Sequence, residues 1–157
     1  MIQKISEAGI RAIIQRENLC LEAYQCQAGV WTIGIGHTAG VRPGMRITRD
    51  RAFELLHQDL TPIYAALIET QRLGAVMTQD QFDALASFIM PIGITAYRTS
   101  TLRRYLIKNA EPEAVARQMQ RWIWYTDRRT GEKKKSQGLI NRRESEAKQY
   151  QGQTCSK

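Results

Sequence analysis

The sequence predicts an α+β fold in which a small β-hairpin lobe and a larger helical lobe enclose a cleft. Three observations predict it: apolar residues at three-four spacing near the start, a short glycine-punctuated run of strand formers after them, and helical periodicity over most of the remainder. The 157 residues are 43% hydrophobic and 24% charged, the composition of one folded domain. A chain of this size buries enough surface to fold without disulfides or a structural metal.

Ser6 caps a first helix whose apolar positions Ile10, Ile13 and Ile14 share a face, and the pattern ends near Glu17. From Ala23 to His37 the period changes. Gly29, the β-branched residues and the run Thr32-Ile33-Gly34-Ile35-Gly36 read as a hairpin. A turn-rich stretch through Gly40, Pro43 and Gly44 follows, and Thr48 with Asp50 opens a helix carrying Ala52, Leu55, Leu56, Leu60 and Ile63 towards Arg72. Thr78 and Gln81 form a capping box before Phe82, Leu85, Phe88 and Ile89, with Pro91 and Gly93 as the stop. Thr99 or Ser100 starts a short helix through Leu102, Tyr105 and Leu106, and Pro112 suits the first turn of another whose face is Val115, Met119 and Trp122. The polar segment from Thr126 to Gly138 reads as an exposed loop, Leu139 to Tyr150 as a last helix, and 151–157 as a frayed tail. No repeat or linker divides the chain, so one domain is expected over 1–157, with a β lobe at about 18–47 and a helical lobe at about 48–150 joined by the first helix.

Lys and Arg number 23 against 15 Asp and Glu, a net charge of +8 that attracts polyanions: nucleic acid, anionic membrane or bacterial wall. The cationic cluster Arg128, Arg129, Lys133, Lys134 and Lys135 has no interleaved aromatics and no nucleic-acid motif, so no nucleic-acid partner is expected. Cys20, Cys26 and Cys155 are odd in number and lack metal-ligand spacing, which predicts neither a disulfide framework nor a metal site. The first residues contain no apolar core of the length a signal peptide or signal anchor needs.

Glu17, Cys26, Thr32 and His37 fall close together in sequence at the junction of the two lobes. Spacing alone also suits a solvated helix-end carboxylate, a small half-buried thiol, a strand threonine and a hydrogen-bonded structural histidine. The wording of the segment is more specific. Glu17, Leu19, Leu21, Ala23, Tyr24, Gly29 and the run TIGIGHT from Thr32 to Thr38 closely resemble the opening of the phage-type lysozymes, glycoside hydrolase family 24. The resemblance continues through ITRDRAFELLHQDL, TQDQFDALASF, STLRRYL, Arg121-Trp122 and the GLINRRESE run from Gly138, in order along nearly the whole chain.

The resemblance implies a lysozyme-like fold and a muramidase that hydrolyses the β-1,4 bond between N-acetylmuramic acid and N-acetylglucosamine, with Glu17 at the catalytic acid position. A general acid must hold its proton near neutral pH, and partial burial favours the protonated form of a carboxyl group. The resemblance also implies an arginine from the last helix reaching back to that acid, with Arg142 and Arg143 both available. The family's second acid, usually Asp nine positions after the Glu, falls on Cys26. A thiol is mostly neutral at pH 7, but a cationic cleft favours a thiolate able to orient or deprotonate water. Thr32 matches a third site position whose hydroxyl holds the attacking water. His37 is expected to support the hairpin and cleft by hydrogen bonding, and Pro91 stands where the family commonly has Asn. Of the aromatics able to stack on sugars, Trp122 reads as core, while Trp31, Trp124 and Tyr125 stay open.

No cofactor is implied. The implied partners are peptidoglycan glycan strands and a holin-like membrane protein that releases a monomeric enzyme, held in the cytoplasm until then, to the wall. Two alternatives remain: a lytic transglycosylase, which needs one acid and no activated water, and a catalytically impaired wall-binding or scaffold protein on the same fold.

Overall fold

The computed structural model describes residues 1–153; Cys155 and the rest of the expected tail from 154 onward lie outside them. The first helix, α1, spans Glu7–Glu17, and the Ser6 side chain accepts from the Gly9 amide at its start. Ser6 is itself held by the Asp83 carboxylate, which takes both its hydroxyl and its amide. Ile13 is fully buried. The helix ends at Asn18, whose φ of 61° turns the chain directly into the sheet.

Strands β1 (Cys20–Gln25) and β2 (Trp31–Gly34) pair antiparallel, with Tyr24 opposite Thr32 and Gln25 opposite Trp31. The hairpin thus begins three residues before the expected Ala23, and an isolated bridge between Ile33 and His37 makes the tight turn that follows β2. Backbone bonds from Ala23 to Met45 and from Ile47 to Leu21 tie the turn-rich segment to the outer edge of β1.

Helix α2 (Arg49–Arg72) is capped by Thr48, and α3 (Gln79–Ile92) by the Thr78–Gln81 box. Phe82 to Ile89 of α3 are all buried, so this helix is surrounded on every side. Around it the core gathers Ile13, Ile35, Leu56, Leu60, Leu67, Tyr97, Leu102, Val115 and Met119. Pro91 does not end α3. It occupies the last turn, where Ile92 still continues the helix and Gly93 closes it.

A short helix, α4 (Ile94–Thr99), follows without any sequence signal, then α5 (Thr101–Ile107), for which Ser100 is the cap. Helix α6 (Pro112–Met119) has Pro112 in its first turn and stops before Trp122, which lies in the connection beyond it. The expected loop from Thr126 is instead a second hairpin, β3 (Trp124–Thr126) against β4 (Lys133–Lys135). Its turn is organised by Asp127, whose carboxylate accepts from the Arg129 amide at 2.9 Å and from the Arg129 and Lys134 side chains. Helix α7 (Gln137–Tyr150) begins two residues earlier than expected, capped by Ser136. No helix among the described residues is long and apolar enough to cross a membrane.

Candidate active site

The end of α1, the inner face of the first hairpin, the last turn of α3, the second hairpin and the start of α7 enclose a cleft of about 570 Å³. Glu17, Cys26, Thr32, Arg142 and Arg143 all line it. A smaller hollow of about 200 Å³ shares Gly36, Thr38 and Met90 with it and extends towards Asp59 and Gly93.

Glu17 arrives here because α1 ends at this residue and the chain then turns away into β1. Its side chain is 16% exposed. One carboxylate oxygen takes a hydrogen bond and ion pair from Nη1 of Arg142. The other lies against Gly36, where an added Cβ would come within 2.8 Å of Oε2. Of the two candidate arginines only Arg142 reaches Glu17. Arg143, one residue on, donates through Nε to the Trp122 carbonyl at 2.9 Å and through Nη1 to Glu146.

Three directions of contact fix the Arg142 guanidinium: Nη1 on Glu17, Nε on Glu146 at 2.9 Å and Nη2 on the Ser87 carbonyl at 2.9 Å. Burial works against its cation, yet Glu17 and Glu146 together outweigh burial and push its pKa up. Burial lowers the pKa of Arg143 and of Arg16. It raises that of Tyr24, as do nearby Cys20, Glu17 and Cys26.

Cys26 sits where β1 leaves for the turn, its amide bonded to the Val30 carbonyl at 3.0 Å. Thr32 is 4% exposed and donates its hydroxyl proton to Val30 at 3.0 Å, leaving the oxygen free to accept from a water. His37 is absent from the lining of the cleft. Its Nδ1 meets the Asp59 carboxylate at 2.8 Å and its Nε2 the Ala39 carbonyl at 2.9 Å, which clamps the segment after β2 onto α2.

A family model for phage lysozyme matches residues 14–146. The chain belongs to the phage lysozyme family. Among curated relatives, it is 39% identical to an endolysin of Acyrthosiphon pisum secondary endosymbiont phage 1 over 90% of this chain and 94% of that one. It is also 39% identical to a SAR-endolysin of Escherichia phage Mu, over 87% of this chain and 74% of the other. Among solved structures, an endolysin from Escherichia coli O157:H7 phage FAHEc1 superposes with a TM-score of 0.84 at 37% identity, covering 98% of this chain and 97% of that one. The muramidase domain of SpmX from Asticaccaulis excentricus gives 0.80 at 36% identity, covering 95% and 98%.

In this phage lysozyme the far wall of the cleft is aromatic. Trp124 is 53% exposed on β3, with the Lys135 ammonium 5.1 Å from its ring centre, and Tyr125 stands beside it. Trp122 packs edge-on against Phe88 and also faces the cleft, so it belongs to the core and the wall together. Trp31 is not among the lining residues. Pro91 lines the cleft without an amide hydrogen to offer.

Sequence reading missed Ser87, Asp59, Asp127 and Glu146. For Glu146 a signal exists, since it stands four residues after Arg142 and three after Arg143 on one helix. Among the described residues no cluster of His, Cys, Asp and Glu has the geometry of a metal site.

Proposed function

We propose that this phage lysozyme acts as an endolysin, hydrolysing the β-1,4 bond between N-acetylmuramic acid and N-acetylglucosamine with Glu17 as general acid. The observation that carries the reading is the one carboxyl group that lines the cleft among the described residues, partly buried and pinned from α7 by Arg142. The glycan lies in the cleft with its sugar faces against the Trp124 and Tyr125 wall. Glu17 gives its proton to the glycosidic oxygen as the C1–O bond breaks. A water held between the Thr32 oxygen and the Cys26 sulfur attacks C1 from the opposite face and gives its proton to the Cys26 thiolate, which becomes the thiol. This is the division of labour of an inverting hydrolase, with a thiolate where a second carboxylate usually stands.

The enzyme works as a monomer. It is held in the cytoplasm until a holin-like partner opens the inner membrane, and its +8 charge then favours the anionic wall.

The test is release of reducing sugar from purified peptidoglycan by wild type and Glu17→Gln, with products identified by mass. Hydrolysed muropeptides from wild type alone support the reading. Products ending in 1,6-anhydromuramic acid make the enzyme a lytic transglycosylase. No product from a folded wild type leaves a wall-binding protein.

A further inference from the structure

Behind Glu17 lies a second carboxylate that the proposed mechanism leaves idle. Glu146 is fully buried, and it accepts from Ser87 Oγ at 2.7 Å, from Arg142 Nε at 2.9 Å and from Arg143 Nη1. Arg143 is 1% exposed, with its guanidinium 4.8 Å from the centre of the Phe88 ring. A cation holding Glu17 requires only Arg142, yet the protein buries a further cation and a further anion behind it. Burial of such a pair is a poor source of stability, because the desolvation cost rivals the attraction. The pair therefore invites a role in the site.

The charged and titratable groups facing this cluster are few. Helix α1 contributes Arg16 and Glu17, α7 contributes Arg142, Arg143 and Glu146, β1 contributes Cys20 and Tyr24 beside Glu17, and Cys26 follows at the end of that strand on the cleft wall. Helix α3 contributes only the neutral Ser87 and the Phe88 ring.

We infer that Glu146 is a positioning residue: it aims Arg142 at Glu17 and offsets part of that arginine's charge, with Arg143 as counterweight, and so governs the pH range in which the enzyme works. The inference rests on the reading of Glu17 as the acid. Removing the Glu146 charge leaves Arg142 bearing undivided on Glu17, which favours the ionised carboxylate and removes the general acid at lower pH. Removing Arg143 acts in the opposite sense, because Glu146 then offsets Arg142 more fully. A purely structural cluster has no such sign: either change would lower the rate alike at every pH.

The experiment measures kcat/KM for reducing-end release from purified peptidoglycan from about pH 4 to 9 at fixed ionic strength. Wild type, Glu146→Gln and Arg143→Met are compared, with thermal unfolding to establish that each is folded. The alkaline limb is expected to move down by roughly half to one pH unit in Glu146→Gln and up by a similar amount in Arg143→Met. Folded variants whose limbs stay at the wild-type position, or move in the same direction, overturn the inference. If Glu146→Gln does not fold, Arg143→Met decides alone, and a limb that fails to rise overturns it. Glu17→Gln runs alongside: wild-type activity there refutes the acid assignment and this inference with it, whereas an inactive Glu17→Gln with unmoved limbs refutes only the role of Glu146.

Discussion

Gly36 offers a way to displace the Glu17 carboxylate without touching its chemistry. The backbone at Gly36 has φ 71°, and an alanine Cβ there would lie 2.8 Å from Glu17 Oε2 and 2.9 Å from its Cδ. An L-residue in that conformation costs about 1–2 kcal/mol, a fall in Tm of about 2–8 °C for a chain of this length. Ordinary contact requires the carboxylate to retreat by several tenths of an ångström, and Arg142 resists because it is itself fixed at Glu146 and Ser87. Displacement of a reacting group on that scale is expected to lower kcat by about 10- to 100-fold, or about 1.4–2.7 kcal/mol of barrier. Gly40 supplies the control: its φ is 68°, and no heavy atom lies within 4 Å of its added Cβ. Gly40→Ala should lose similar stability and keep wild-type turnover. Reducing-end release and thermal unfolding of both variants are the assay. Equal activity in the two at equal loss of Tm refutes the claim that Gly36 exists to admit the carboxylate.

Cys26→Ser should lower kcat while leaving KM near wild type, and Cys26→Asp should restore much of the rate; a Cys26→Ser enzyme at full rate removes the thiol from the mechanism. Asp59→Asn, which weakens the clamp on His37, should cost about 1–3 kcal/mol of stability in denaturant unfolding, with a smaller effect on turnover. The Arg129 amide, the Arg129 side chain and Lys134 hold Asp127 below its ordinary pKa, so its contribution is fully present above that ordinary value and lost as pH falls through the folded one. Asp127→Asn should therefore flatten the acid side of the stability–pH curve below about pH 4, read by thermal unfolding. Leu85→Ala, at a fully buried position on α3, should cost about 2–5 kcal/mol.

The elements legible in the sequence were those with a local cause. Ser6, Thr48 and Thr78 announced their helices because each side chain bonds an amide within its own first turn. The second hairpin was not legible: Thr126 to Lys135 has no apolar alternation, and its strands are held by the Asp127 bonds and by distant partners. The Arg128 amide bonds Ala28, and Ser136 Oγ bonds the Gln27 side chain at 2.6 Å. At the site, Glu17 and Thr32 stood out through a motif, whereas Arg142 and Arg143 could not be told apart. Adjacent residues on a helix point about 100° apart, and which of them faces Glu17 depends on how α7 docks against α3, a fact written in no local pattern.

The 125 positions separating Glu17 from Arg142 also set an order of events during synthesis. Chains emerge from the ribosome N-terminus first, so α1, the first hairpin and α3 are available to pack while α7 is still unmade. Until α7 is released, the acid side chain has no cationic partner and the cleft lacks one of its walls. A nascent chain thus carries its reactive carboxyl group from the outset but completes the surroundings of that group only with α7, the last helix among the described residues.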